Sequence, residues 1–98
     1  RDRVEAAEWL AEMDRGADSL ELSAEARSTA EDLFLNNVPE SDRSKPAVAA
    51  AALYAAALLS GEERAQTEVA DAMDVSRLSV QKRWKPMLEA AGFRPPSW

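Results

Sequence analysis

Apolar residues recur at helical spacing along most of the chain, and this pattern predicts five helices. In the second of them, Ala26, Ala30, Leu33 and Phe34 follow the i, i+4, i+7, i+8 spacing of one buried helix face. Ser23 precedes this stretch and is a good N-cap residue. In chain order, the predicted segments are residues 3–15, a second helix that starts after Ser23 and is stopped by Asn36, Asn37 and Pro39, and residues 46–59, 66–73 and 77–91.

Glycine and proline residues mark the ends of the first and third helices. Gly16 follows the first amphipathic stretch and is expected to end it. Pro46 suits a first helical turn, since the amide that proline lacks has no partner there, and Gly61 falls just beyond the end of the third helix. Residues 47–59 are apolar apart from Tyr54, so we expect this helix at the centre of the domain, where its alanines let neighbouring helices approach closely.

The last two helices are separated by only three residues, Asp74, Val75 and Ser76. This spacing is typical of a helix-turn-helix, and aspartate tolerates the left-handed conformation that such a turn needs. Ser76 is the expected N-cap of the final helix. We therefore predict one all-α domain over residues 1–93 that ends in a helix-turn-helix at about residues 66–91, followed by a tail of residues 94–98.

The composition supports an all-α class and excludes much chemistry. Among the 98 residues are 20 alanines and 3 glycines, with 6% aromatic residues, which favours helices over a β-sheet. Without cysteine and histidine there is no disulfide, no thiolate or imidazole nucleophile and no usual zinc ligand. Neighbouring acids such as Glu31 and Asp32 point in different directions on a helix, so we predict no enzyme, no cofactor, no metal site and no small-molecule substrate. No signal peptide or apolar run of 18 residues is visible, which predicts a cytoplasmic protein with no membrane partner.

The net charge of −6 hides a division along the chain. Residues 1–74 carry 17 acidic and 7 basic residues, whereas residues 75–98 carry 1 acidic and 5 basic residues. Phosphate binding depends on cationic side chains, so a nucleic-acid surface is expected in the last quarter of the chain. A helix end whose cations only complement the helix dipole would have the same charges, and charge alone does not choose between the two.

A helical projection of the last helix separates a buried face from an outward face. Val80, Trp84, Met87 and Leu88 fall on an apolar stripe about 100° wide. The outward set suits the DNA major groove, where Gln pairs with adenine, Lys and Arg reach phosphate or guanine, and an apolar side chain touches a thymine methyl. A single exposed leucine is common on protein surfaces and alone decides nothing. The predicted DNA-binding residues are Ser76, Arg77, Leu78, Ser79, Gln81, Lys82, Arg83 and Lys85.

Pro86 interrupts this last helix. It removes one backbone donor and is expected to kink or end the helix near Lys85. Residues 87–91 would then form a final turn closed by Gly92.

The order and spacing of these motifs resemble the second cyclin-like repeat of archaeal transcription factor B, the counterpart of eukaryotic transcription factor IIB. The family pattern is GKSP, then AALYIAALL, then TQ-EVA, then VT-VRNRY, and the resemblance covers about residues 1–93. The residues that fall in register are Ser44, Lys45, Pro46, Ala51, Ala52, Leu53, Tyr54, Gln66, Glu68, Val69, Ala70, Val80, Arg83 and Trp84.

The resemblance implies a five-helix cyclin-like fold whose last two helices enter the major groove of double-stranded promoter DNA beside a TATA box. It also implies contact with the TATA-binding protein or another basal transcription factor. The family's apolar groove contact falls on Leu78 and its arginine base contact on Gln81, a departure that shifts the expected base from guanine towards adenine. Ala65 stands where the family has a capping Thr or Ser, which weakens that helix start by about 1 kcal/mol.

The family's full factor has a zinc ribbon and two cyclin repeats, and this chain departs from that plan. A ribbon is impossible without cysteine, and the length suffices for one repeat only, so the chain is expected to be a fragment or a stand-alone regulator. Nine arginines against three lysines, with abundant acids and alanine, suggest a salt-adapted archaeal cytoplasm. Salt screening there would make base contacts more important than phosphate contacts.

Two functions remain open at this point. The first is a DNA-binding transcription factor module that reads the major groove through the helix after Ser76 and is associated with the nucleoid. The second is a protein-interaction domain in which the acidic residues between positions 5 and 42, or Leu78, bind a basal transcription factor or a second copy without DNA.

Overall fold

The computed structural model describes residues 2–36, 45–90 and 92, with side chains from residue 8 onward. In these ranges the chain forms five α-helices, which confirms the predicted all-α class; the predicted tail of residues 94–98 lies outside them. None of these helices combines the length and the apolar character needed to cross a membrane. The helices are α1 (Asp2–Leu20), α2 (Ala24–Asn36), α3 (Lys45–Leu59), α4 (Gln66–Met73) and α5 (Arg77–Ala90).

The central helix is α3, as the sequence predicts, although it begins one residue earlier, at Lys45. Residues 47–57 are all buried, and α3 packs against each of the other four helices. Eight of these eleven residues are alanine, so the neighbouring backbones approach α3 closely. The predicted apolar face of α2 is also buried, and Phe34 is fully enclosed in the core that forms around α3.

Gly16 lies inside α1, which continues to Leu20, so the prediction that Gly16 ends this helix is wrong. A Cβ atom built on Gly16 would lie 2.7 Å from Met73 Sδ and 3.2 Å from Leu53 Cδ1. The glycine is therefore a point of close packing, where α1 meets α3 and α4, and its missing side chain makes room for Met73.

Three helices end in the same left-handed backbone conformation. Glu21, Gly61 and Asp74, just beyond α1, α3 and α4, have φ angles of 58°, 71° and 56°. In each case the amides of this residue and the next donate to carbonyl oxygens in the last turn, which is the Schellman arrangement. Gly61 confirms its predicted position and adopts this conformation without the steric cost that Glu21 and Asp74 bear.

A polar junction formed by Ser23, Glu62 and Arg64 ties the turn between α1 and α2 to the loop between α3 and α4. The backbone N–H and the hydroxyl of Ser23 donate to the Glu62 carboxylate at 2.8 and 2.5 Å. Ser23 Oγ also accepts from the Ala26 N–H at 3.2 Å, which confirms the predicted N-cap of α2. Arg64 Nε donates to the Leu20 carbonyl oxygen at 2.9 Å, and its Nη1 donates to the Glu62 carbonyl oxygen at 2.8 Å. The junction thus fixes the loop that leads into α4.

The hydrogen bonds at this junction also affect ionisation. The Ser23 hydroxyl and then the Ser23 amide hold the pKa of Glu62 below its ordinary value of 4.5, against an opposing effect of burial, and the charge of Arg64 makes the smallest contribution in the same direction. The carboxylate form is therefore the one that the folded state prefers.

Close packing at Gly16 predicts a loss of stability when a side chain is added. We expect Gly16→Leu to lower the free energy of unfolding by about 1–3 kcal/mol, because Met73 and Leu53 must move to admit it. Urea unfolding followed by circular dichroism measures the change. Ala11→Leu, at an exposed position of the same helix, is the control and should stay within about 0.5 kcal/mol of the wild type. Equal stability of the two variants would contradict the close approach.

The lowered pKa of Glu62 predicts a pH-dependent contribution to stability. A carboxylate with a lowered folded-state pKa stabilises the fold above its ordinary value of 4.5, and this contribution is lost as the pH falls through the folded value. The difference in unfolding free energy between the wild type and Glu62→Gln should therefore be constant near neutral pH and shrink below pH 4.5. Chemical unfolding at a series of pH values tests this, with Glu63→Gln as a control for the charge change. A difference that does not vary with pH would rule out the proposed ionisation effect.

Candidate functional site

The turn between α4 and α5 has the geometry predicted for a helix-turn-helix. Asp74 takes the left-handed conformation, with φ 56° and ψ 46°. Its amide donates to the Asp71 carbonyl oxygen at 3.3 Å, and the Val75 amide donates to the Ala70 carbonyl oxygen at 2.9 Å. The half-buried Val75 side chain packs against the core. Backbone hydrogen bonds and this apolar contact therefore both fix the predicted three-residue turn.

Ser76 and Ser79 organise the start of α5. Ser76 Oγ accepts from the Ser79 N–H at 3.2 Å, which confirms the predicted N-cap. The two hydroxyl oxygens lie 2.9 Å apart and share a hydrogen bond. Both serines were predicted to bind DNA; their hydrogen bonds show a local role in setting the direction of the first turn of α5.

Four apolar residues hold α5 against the rest of the protein. Val80, Met87 and Leu88 are buried, as the helical projection predicts. Trp84 is half-buried, and its ring meets that of Tyr54 on α3 edge to face, with centroids 5.3 Å apart and planes at 67°. These contacts fix which face of α5 points outward.

Pro86 lies within α5, which continues past it, so the expectation that the helix ends near Lys85 is wrong. Met87 and Leu88, directly after the proline, are buried, and burial of these apolar side chains offsets the missing backbone hydrogen bond. Pro86 and Lys82, whose carbonyl oxygen loses its helical donor, lie on the exposed side. Solvent can replace that donor there.

The outward face of α5 brings the predicted DNA-binding residues together. Leu78 is 52% exposed. Ser79 and Lys85 are half-buried, and Lys85 Nζ lies 5.9 Å from the centroid of the Trp84 ring, so Lys85 forms the edge of this face. The exposed members are Ser76, Arg77, Leu78, Gln81, Lys82 and Arg83.

Arg77 connects the two helices of the motif. Its Nη1 donates to Oε1 of Gln81 at 3.1 Å and to Oε1 of Gln66 at 3.4 Å. We call Gln66, Arg77 and Gln81 the Arg77 cluster. The four-residue spacing of Arg77 and Gln81 indicates a shared face, whereas Gln66 was not among the predicted site residues, because its contact depends on how α4 packs against α5.

A cleft of about 320 Å³ lies beside this face. It is open to solvent, and its volume is at the lower end of small-molecule sites. Over the described ranges no group of three or more acidic residues is placed to hold a metal ion. The cleft was not predicted; it is lined by Tyr54, Leu58, Glu63, Trp84 and Lys85.

The N-terminus of α4 has only half of a capping box. Ala65 occupies the N-cap position in an extended conformation, with φ −64° and ψ 146°. Its amide donates to Glu68 Oε1 at 3.2 Å. Alanine has no side-chain acceptor, so the reciprocal bond to the Glu68 amide is missing. The uncapped start expected from the sequence is thus present.

The charges on α5 favour binding of a polyanion. The helix carries Arg77, Lys82, Arg83 and Lys85 against the single acid Glu89. Its exposed first turns combine cations, which can reach phosphates, with an amide and an apolar side chain, which can contact base edges. The exposed first turns of α5 therefore combine charged, polar and apolar side chains on one surface.

The chain is similar to known proteins of a single family. Residues 3–90 match the family described as "Transcription factor TFIIB repeat". "Transcription initiation factor IIB 2" of Thermococcus kodakarensis is 36% identical over 87 residues, covering 86% of this chain and 28% of that protein. "Transcription initiation factor IIB" of Haloarcula vallismortis is 38% identical over 82 residues, covering 81% and 72%. "Transcription initiation factor IIB 2" of Haloferax volcanii is 42% identical over 79 residues, covering 76% and 24%. The chain thus spans about a quarter of the length of two of these relatives.

The half-formed capping box predicts a stabilising substitution. Ala65→Ser supplies the missing acceptor and should raise the free energy of unfolding by about 1 kcal/mol. Ala65→Val, which adds a side chain without an acceptor, is the matched control and should give no gain. Thermal unfolding of both variants measures the effect, and an equal or greater gain from valine would show that the missing cap is not the cause.

Proposed function

The chain belongs to the transcription factor TFIIB repeat family and is a transcription initiation factor domain, and from this premise we propose that it binds double-stranded promoter DNA through α5. The resemblance drawn from the residues is confirmed, and the five-helix architecture agrees with a cyclin-like repeat. The relatives are transcription initiation factors, which are not enzymes.

The observation that carries this proposal is the exposed start of α5. Arg77, Leu78 and Gln81 project from the first turns of a helix whose opposite face is buried in the core. A second helix that follows a tight turn and presents its N-terminal residues is the arrangement with which helix-turn-helix proteins read the major groove. Leu78 and Gln81 are proposed to contact bases, and Lys82 and Lys85 to contact phosphates.

A protein partner beside the DNA is a further part of the proposal. The exposed surface of α1 and α2 is rich in acids, including Glu8, Glu25 and Asp32. Such a surface suits a basic protein, and we propose the TATA-binding protein or another basal factor as the partner on promoter DNA. The expected location is accordingly the nucleoid.

An interaction domain that works without DNA is the second candidate. It is favoured by the exposure of Leu78, since apolar side chains at a surface often mark contacts with other proteins. Sedimentation velocity of the wild type and Leu78→Ser separates the two functions. A dimer that Leu78→Ser dissociates, together with no binding to any duplex, would favour the interaction domain.

The proposal predicts two different effects of substitutions on α5. Lys82→Ala and Lys85→Ala should weaken binding to all duplexes, and each should reduce the salt slope by about one, because one phosphate is no longer neutralised. Leu78→Ala and Gln81→Ala should change sequence preference, because these side chains meet base edges. The measurement is the Kd for TATA-containing duplexes with an adenine- or guanine-containing upstream element, with and without TATA-binding protein, at several salt concentrations.

Arg15→Ala is the matched control for the loss of one positive charge. Arg15 is exposed on α1 and pairs with Glu12, so its removal should leave duplex binding and the salt slope unchanged. Absence of binding to every duplex, at low as well as high salt, would overturn the proposal.

A further inference from the structure

We propose that Arg77 restricts Gln81 to donating hydrogen bonds, so that the exposed face of α5 selects guanine rather than adenine. The inference rests on the proposed function, since it concerns the base that Gln81 meets in the major groove. Within the Arg77 cluster, it involves the exposed residues Arg77 and Gln81 and the contact of Arg77 with Gln66 on α4.

The orientation of the Gln81 amide follows from the chemistry of its neighbour. A guanidinium group donates hydrogen bonds and accepts none, so the Gln81 atom that faces Arg77 must be the oxygen. Arg77 Nη1 lies 3.1 Å from that oxygen. The amide nitrogen, with its two hydrogens, is left as the group that Gln81 offers to a ligand.

A second contact keeps Arg77 in this position. The same nitrogen donates to the amide oxygen of Gln66, the first residue of α4, at 3.4 Å. Arg77 thus links both helices of the motif, and moving it away from Gln81 would break a contact with each helix. Docking against DNA removes water from this region, which strengthens hydrogen bonds to a charged donor.

The base edges then decide the preference. Adenine presents one acceptor and one donor in the major groove, and a bidentate contact with it needs both the oxygen and the nitrogen of a free amide. Guanine presents two acceptors, N7 and O6. A donor-only amide pairs with two acceptors, and it would place its hydrogens against the donor of adenine. The presence of glutamine alone favours adenine, whereas glutamine held by Arg77 favours guanine.

Selection from a duplex library with randomised positions, followed by Kd measurements, tests the inference. Gln81→Met identifies the base position that depends on Gln81, because the variant loses its preference there. At that position we expect the wild type to prefer guanine over adenine by about tenfold, which is typical of a good base contact. Arg77→Met releases the Gln81 oxygen. This variant should therefore lose the preference for guanine or prefer adenine.

Lys82→Met is the matched control, because it also removes one positive charge next to Gln81. It should lower affinity for all duplexes without changing the base selected. Gln81→Glu keeps an oxygen that faces Arg77 but has no hydrogens to donate, so it should also lose the guanine preference. The double variant Arg77→Met, Gln81→Met should show the same base preference as Gln81→Met alone.

Several results would overturn the inference while the proposed function stands. One is a wild-type preference for adenine at the position that depends on Gln81. Another is a guanine preference that survives in Arg77→Met. A third is that no position loses its preference in Gln81→Met while a guanine preference is lost in Arg77→Met, which would mean that Arg77 contacts the base itself. No binding of the wild type to any duplex would overturn the proposed function and the inference together.

The interaction of Arg77 with Gln81 can also be tested without DNA. The side-chain amide resonances of Gln81 should shift in the NMR spectrum of Arg77→Met and stay in place in that of Lys82→Met. Unchanged Gln81 resonances in Arg77→Met would contradict the inference, whatever the duplex measurements give.

Discussion

The small side chains of α3 set the distances at which the other helices can pack. Residues 47–57 are buried on every side, and most of them are alanine, so four helices gather around one narrow axis. The exceptions are Val48, Leu53 and Tyr54, and the ring of Tyr54 meets that of Trp84 on α5. The position of α5, and therefore the direction of its outward face, depends on this ring contact together with the burial of Val80, Met87 and Leu88.

Polar contacts outside the core define the path of the chain between helices. The Glu62 carboxylate binds Ser23 at the start of α2, and Arg64 binds the end of α1 through the Leu20 carbonyl oxygen. The loop before α4 is thereby attached to the first half of the chain. After α4, the left-handed Asp74 turns the backbone into the N-cap of α5. Helix packing and these hydrogen bonds together determine the position of α4 and of the start of α5.

Much of this fold can be predicted from local sequence patterns, because several of its helices begin and end at residues that bond to backbone groups close by in the sequence. The N-caps Ser23 and Ser76 and the left-handed Asp74 depend on nearby backbone groups and were predicted correctly. Gly16 and Pro86 were not, because tertiary packing overrides their usual role: one makes room for Met73, and the other precedes buried residues of α5.

In the candidate site too, some features follow from local sequence and others depend on how the helices pack. Which residues share the outer face of α5 follows from helical periodicity alone, and the structure brings those residues together. The link from Gln66 to Arg77, in contrast, joins two helices, and its distance depends on their packing. A projection of one helix does not contain that distance, so the orientation of the Gln81 amide could not be predicted.

The uneven distribution of charge makes the molecule an electric dipole. Helix α5, with four bases and one acid, packs on α3 and α4, whereas α1 and α2, which carry many of the acids, make at most marginal contact with α5 in the described residues. In the field of a polyanion such a dipole experiences a torque that turns the basic helix forward and the acidic helices away. For the proposed DNA contact through α5, encounters that bring the acidic helices forward are electrostatically unfavourable, so the same acids that lower the net charge also select the angle of approach.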